Sequence, residues 1–131
     1  MIKRRKAADK LPFEFILDYL YPLEPVIKPM FGCFAYYSGE KIVFIVRKKK
    51  DMPEQNGIWV ATSREHHESL KAELPSLGNI GILGKDTEWQ MRHEDDPAFE
   101  RYAIRICELV KLGDERVGRI PKKKKSKKRT S

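Results

Sequence analysis

A chain of 131 residues, 40% apolar and 35% charged, is long enough to close one hydrophobic core without metals or disulfides. Its apolar runs are too short to cross a bilayer, and the opening Met1-Ile2-Lys3-Arg4-Arg5-Lys6 leads into Ala7-Ala8-Asp9-Lys10 with no apolar signal region, so neither a membrane span nor export is expected and the location read is cytoplasmic. The formal charge of +8 is unevenly placed: residues 1 to 118 hold 19 basic and 19 acidic side chains, and without Lys3, Arg4, Arg5 and Lys6 they balance at −4.

Phe13, Ile16, Leu17 and Leu20 recur at helical spacing and predict a helix from about Pro12 to Tyr21, ended by Pro22. Pro22, Pro25 and Pro29 then keep the chain extended. Met30 to Tyr37 and Ile42 to Arg47 are aromatic and β-branched, and with Ser38-Gly39-Glu40-Lys41 between them they predict a β-hairpin. Both faces of that hairpin are apolar, with Phe34 and Tyr36 on one and Phe31, Cys33 and Tyr37 on the other, which predicts a central place in a sheet covered by helices.

A polar loop from Lys48 to Gly57 precedes a third strand, Ile58-Trp59-Val60-Ala61. Thr62 with Glu65 has the spacing of a capping box for a helix that Pro75 stops. Short strands are predicted around Ile80 to Leu83 and from Glu88 to Arg92. Asp96-Pro97 starts a last helix whose buried stripe is Phe99, Tyr102, Ala103, Ile106 and Val110, with Gly113 as its stop. The fold class expected is therefore α+β: an antiparallel sheet of about five strands with helices packed on it, in the order helix, three strands, helix, two strands, helix. The organisation expected is a basic segment 1–10, a domain 11–118 and a disordered Lys/Arg-rich tail 119–131, whose Lys-rich sequence after Pro121 cannot bury apolar surface.

None of the candidate chemistries matches its template. Gly78, Gly81, Gly84 and Lys85 have a glycine spacing that fits neither GxGxxG nor GxxxxGK[ST], so turns and bulges explain them better. Adjacent His66 and His67 point about 100° apart on a helix and read as surface residues. His93 with Glu94, Asp95 and Asp96 could ligate a divalent ion, but Asp96 is claimed by the helix cap. Cys33 and Cys107 lie in apolar segments with no CxxC spacing, so each reads as a packed thiol, Cys33 being the better candidate nucleophile. Phe31, Phe34, Tyr36, Tyr37, Phe44 and Trp59 could stack bases on an open sheet, yet two-sided strands favour core packing. Arg47-Lys48-Lys49-Lys50 reads as a solvated basic loop diluted by Asp51 and Glu54. No catalytic residue, metal or cofactor is assigned.

The tail is the strongest functional signal. From Arg119 to Ser131 there are eight basic residues and no acid: Arg119, Lys122, Lys123, Lys124, Lys125, Lys127, Lys128 and Arg129. Neutralising eight phosphates of duplex DNA gives a salt slope of about −7 by counterion release. The competing reading is a solubility arm or a tether to an acidic protein.

Lys28-Pro29-Met30-Phe31-Gly32-Cys33-Phe34-Ala35-Tyr36-Tyr37-Ser38-Gly39-Glu40-Lys41-Ile42-Val43-Phe44, preceded by a helix, resembles the MFGG-centred opening of the TfoX N-terminal-like domain family. Cys33 stands where a second glycine is usual in that family. The resemblance implies a small bacterial α+β domain, related in shape to YjbR-like proteins, with regulatory or unassigned roles and no catalytic residues to carry over; Met30, Phe31 and Gly32 are then structural. Competence regulation is not implied, because the helical C-terminal domain of full-length regulators has no counterpart. Three functions are open: a noncatalytic accessory or regulatory domain touching nucleic acid through Lys122, Lys123, Lys124, Lys125, Lys127, Lys128 and Arg129; a protein-interaction module with no nucleic-acid role; and a small-molecule binder or enzyme with a pocket near Cys33, Trp59 or His93.

Overall fold

The structure, a computed structural model, describes residues 11–75, 77–81 and 88–121. The fold is α+β: one antiparallel six-stranded sheet with three helices. In chain order these are α1 (Phe15–Leu20), β1 (Val26–Met30), β2 (Cys33–Ser38), β3 (Lys41–Arg47), β4 (Gly57–Val60), α2 (His67–Glu73), β5 (Gly78–Asn79), β6 (Gln90–His93) and α3 (Phe99–Leu112). The strands lie in the order β1-β2-β3-β4-β6-β5. No helix among the described residues is long and apolar enough to cross a membrane.

A strand that was not expected, β1, occupies the proline-rich stretch, whereas the strand expected around Ile80 to Leu83 is not found at Ile80: the short β5 lies just before it at Gly78–Asn79, and Ile82 and Leu83 lie outside the described residues. β1 pairs with β2 from Val26↔Tyr37 to Met30↔Cys33, and among the described residues no strand pairs with its other side. A proline removes one N–H, and an edge strand has a free side on which that loss costs no ladder bond; Pro29 is therefore tolerated opposite Phe34. As a result Met30-Phe31-Gly32 is not the start of a long strand. Met30 ends β1, and Phe31-Gly32 make the turn into β2, with Phe31 at φ 51° and Gly32 at φ 80°.

The β2–β3 hairpin is present, with Ser38 opposite Lys41 and Gly39 at φ 63° in its turn. The register slips between Tyr36 and Tyr37, so Val43 is an extra residue on β3 and joins the helix side. That side holds Tyr36, Phe44, Val46, Ile58 and Val60 under Ile16 and Leu20 of α1, Leu70 of α2, and Ala103, Ile106, Leu109 and Val110 of α3. Phe13 meets Phe99 at a ring-centroid distance of 5.1 Å, joining the approach to α1 with the start of α3.

Among the described residues the helices pack on this face alone. The opposite face, built on Cys33, Ala35, Ile42, Ile45, Trp59, Ala61 and Met91, contains no helical residue in its cluster and is packed by Ile80, Trp89 and Met30 from strands and loops. The helical cover expected on both sides of the hairpin is thus found on one side only among the described residues.

Two of the local signals act differently from their templates. The Thr62–Glu65 spacing makes no capping box: a 3₁₀ turn at Arg64–His66 comes first, α2 has no side-chain cap, and Thr62 Oγ1 is buried without a partner among the described residues. Asp96 forms a turn ahead of α3, its Oδ1 accepting from the Ala98 N–H at 2.8 Å, but it is not the N-cap: the helix begins at Phe99 after Ala98 with no side-chain cap, and Gly113 closes it at φ 71° as expected. After Gly113 the chain returns to the sheet. Val117 is buried, the Gly118 N–H donates to the Ala61 carbonyl at 2.7 Å, and Arg119 and Ile42 exchange both backbone hydrogen bonds at 2.9 Å. Arg119, the first residue of the expected tail, is thereby held at the sheet.

Candidate functional site

On the face without helices a cavity of about 300 Å³ opens between the β1–β2 turn and the β3–β4 loop. Cys33, Ile45 and Trp59 line it from the sheet, and Met30, Phe31 and Met52 supply apolar walls. Arg47, Lys49 and Asp51 add two positive charges and one negative.

Arg47 explains why the β3–β4 loop stands where it does. Its side chain is 3% exposed, and the guanidinium donates to the carbonyls of Met52 (2.9 Å) and Asp51 (3.0 Å) and to Asn56 Oδ1 (2.8 Å). Asn56 in turn bridges the N–H and carbonyl of Lys49, at 3.0 and 2.9 Å. A charge taken from water is tolerable only when its donors are met, and here three loop acceptors meet them. The expected solvated run Arg47 to Lys50 is therefore split: Arg47 is internal scaffolding, and Lys48 reaches Glu94 at 2.6 Å. Lys49 is left at the cavity, its Nζ 3.9 Å from Asp51 Oδ1, beyond hydrogen-bond reach.

Gly32 gives Lys49 its room. A Cβ at position 32 would stand 3.1 Å from the Lys49 ammonium, so the bare turn lets that side chain lie across it. Phe31 departs from the core role expected of it, being 91% exposed. Trp59 is buried, and its Nε1–H donates to the Gln55 carbonyl at 2.9 Å, so its ring rather than its donor is what remains to face the cavity.

The cysteines differ in setting. Cys107 is fully buried in α3 against the Ile16 carbonyl, and desolvation pushes its thiol up to about 12. Cys33 borders the cavity; burial raises its pKa, opposed by the positive charges of Arg47 and Lys49. Both thiols are therefore held toward the protonated, less nucleophilic form.

The histidines are dispersed. His66 lies 3.4 Å from Glu65, and His67 Nε2 contacts the Glu88 carbonyl at 2.6 Å. The Asp95 N–H donates to His93 Nδ1, which places the proton on Nε2 for its contact with the Pro53 carbonyl at 3.0 Å. Around the His93-Glu94-Asp95-Asp96 run the carboxylates face different partners, Glu94 toward Lys48 and Asp96 toward Arg92. No group of three His, Cys, Asp or Glu side chains with metal-site geometry occurs among the described residues.

Gly78 pairs opposite Met91, and Gly81 makes room for the Gln55 side chain, 3.2 Å from where its Cβ would be; Gly84 and Lys85 lie outside the described residues. Lys122, Lys123, Lys124, Lys125, Lys127, Lys128 and Arg129 also lie outside them, so the structure describes only their root at Arg119. Arg119 itself donates to the Thr62 carbonyl at 3.4 Å and lies 3.5 Å from Glu88. The cavity, by contrast, unites residues between positions 30 and 59, of which Cys33 and Trp59 were expected near a pocket, Phe31 only as a base-stacking or core aromatic, Arg47 and Lys49 only as a solvated basic loop, and Met52 in no role. No family model matches the chain, and neither the curated proteins nor the solved structures contain a match to it.

Proposed function

We propose that this protein is a noncatalytic accessory or regulatory module of TfoX-like type that contacts nucleic acid nonspecifically through its basic C-terminal arm. The observation that carries the reading is charge segregation: seven basic residues and no acid follow Pro121, whereas residues 7 to 118 sum to −4. An acidic body repels a polyanion and basic ends attract it, so contact is directed to the ends of the chain, above all to the C-terminal arm with its seven basic residues against four at Lys3, Arg4, Arg5 and Lys6. The pairing of Arg119 with Ile42 supports the same reading, since it roots the arm at the sheet. Protonated thiols and separately engaged histidines support a noncatalytic body.

Arg119 is already beside Glu88, which leaves seven charges for phosphate. Titration of random duplex DNA, single-stranded DNA and RNA over a range of salt should give a slope of up to about −6 on the duplex for the full chain. A variant with the seven basic residues after Pro121 changed to Gln should lose that affinity while keeping its melting temperature. Equal affinity of the two proteins would remove the arm from the function. Salt-insensitive, nuclease-resistant capture of a protein would instead support an interaction module.

A further inference from the structure

The cavity between the β1–β2 turn and the β3–β4 loop has a feature that folding does not require. Phe31 and Met52, on opposite sides of it, are two of the three non-glycine described residues with positive φ, at 51° and 49°. Side chains with a Cβ are strained in that conformation, and an exposed apolar group gains nothing in return. Phe31 is 91% exposed and Met52 42%. Two strained turns thus hold an aromatic ring and a thioether at the mouth of one cavity.

The lining narrows what could fill it. A volume of about 300 Å³ is at the lower end for ligand sites, which suits one small ring system and excludes a dinucleotide. Trp59 has committed its only donor to Gln55, and thioethers pack well on aromatic faces, so the interior favours a flat apolar body. The charges around it, Arg47 and Lys49 against Asp51, leave one positive in excess. Arg47 is consumed by the loop; Lys49 has its ammonium at the cavity, in a loose ion pair 3.9 Å from Asp51 Oδ1 and with no carboxylate within hydrogen-bond distance among the described residues.

We propose that this cavity is a binding site for a small planar acid: one aromatic ring system carrying a single carboxylate, its ring between Trp59 and the Phe31 and Met52 side chains and its carboxylate on Lys49. The proposal is independent of the basic arm and of any nucleic-acid contact. Gly32 serves it by leaving space for Lys49, which gives the Met-Phe-Gly turn a role in recognition as well as in chain reversal.

The test uses the full-length, 15N-labelled protein and three probes of one shape: indole-3-acetate, its neutral amide indole-3-acetamide, and the cationic tryptamine. The Trp59 indole N–H resonance, assigned with Trp59→Phe, should shift with indole-3-acetate, and the amide should bind at least about tenfold more weakly, the factor expected for losing one charge-assisted hydrogen bond. The acid should also slow alkylation of Cys33 by iodoacetamide, read by mass spectrometry at that residue; the fully buried Cys107 is an internal control. Lys49→Met should erase the preference for acid over amide without changing the melting temperature, and Phe31→Ala should weaken both probes. The proposal is overturned if no probe moves the Trp59 signal at millimolar concentration, if tryptamine binds as well as the acid, or if the preference survives in both Lys49→Met and Lys49→Gln. A protein partner that covers Phe31 and Met52 while Trp59 stays unmoved would assign the patch to docking and overturn it equally.

Discussion

Phe44 and Ile45 are neighbours on β3 that belong to opposite sides of the sheet. Phe44 is fully buried beneath the helices, its ring 4.6 Å from that of Tyr36, whereas Ile45 is 9% exposed and borders the cavity. Helices close one face with a continuous apolar layer; on the other, a loop braced by Arg47 leaves a recess with charges at its edge. The difference teaches that stability and recognition are divided between the faces: the helix side can carry the fold while the loop side holds an imperfectly filled space.

The largest expected effect tests that division directly. Phe44→Ala removes a ring from a closed layer and should cost about 3 to 5 kcal/mol. Ile45→Ala enlarges a recess already in contact with water and should cost about 2 kcal/mol, the low end for such a truncation. Denaturant unfolding of the two variants checks this, and equal losses would break the comparison by showing that both faces are packed alike.

The helix side also carries the acid-sensitive ion network. Arg116 ties Asp114, after α3, to Glu73 of α2 through contacts of 2.9 and 2.6 Å, and Arg105 meets Glu73 at 2.8 Å. Hydrogen bonding to Arg116 lowers the pKa of Asp114 to about 2 and that of Glu73 below its usual range. A carboxylate held lower in the folded state adds stability above its unfolded value, about 4, and loses it as pH falls through the folded value. Stability should therefore decline between roughly pH 4 and pH 2. Asp114→Asn with Glu73→Gln should flatten that limb and cost about 1 kcal/mol at pH 7, little because these side chains are partly solvated. An unchanged acid limb in the double variant would move the sensitivity elsewhere.

The two sides also differ in how far the sequence discloses them. Helical spacing on α3 and its Gly113 stop are local signals, and so is the β2–β3 hairpin; each element is found where its residues point. β1 escaped because Pro25 and Pro29 read as linker, and only edge placement, a global property, makes Pro29 compatible with a strand. Phe31 escaped for a related reason: once β1 pairs with β2, the chain must reverse at 31 and 32, which turns an apolar residue outward. Of the cavity, Cys33 and Trp59 could be named as aromatic or nucleophilic candidates, but no spacing rule predicts that Arg47 will fold a nine-residue loop over its own guanidinium and leave Lys49 facing them. The basic arm is legible as composition alone.

The smallest expected effect sharpens the same comparison. At φ 51° a phenylalanine is strained, and at 91% exposure it has little burial to lose. Phe31→Asn, a residue tolerant of left-handed backbone, should therefore raise stability by a few tenths of a kcal/mol, up to about 1, on the side of the sheet where truncation normally destabilises. Thermal unfolding at fixed concentration measures the shift. A gain would mean that the exposed ring is kept at the expense of the fold, as expected of a side chain retained for contact; a loss above about 0.5 kcal/mol would show that Phe31 packs on the cavity wall even when empty, and the loop side would then share in stability after all.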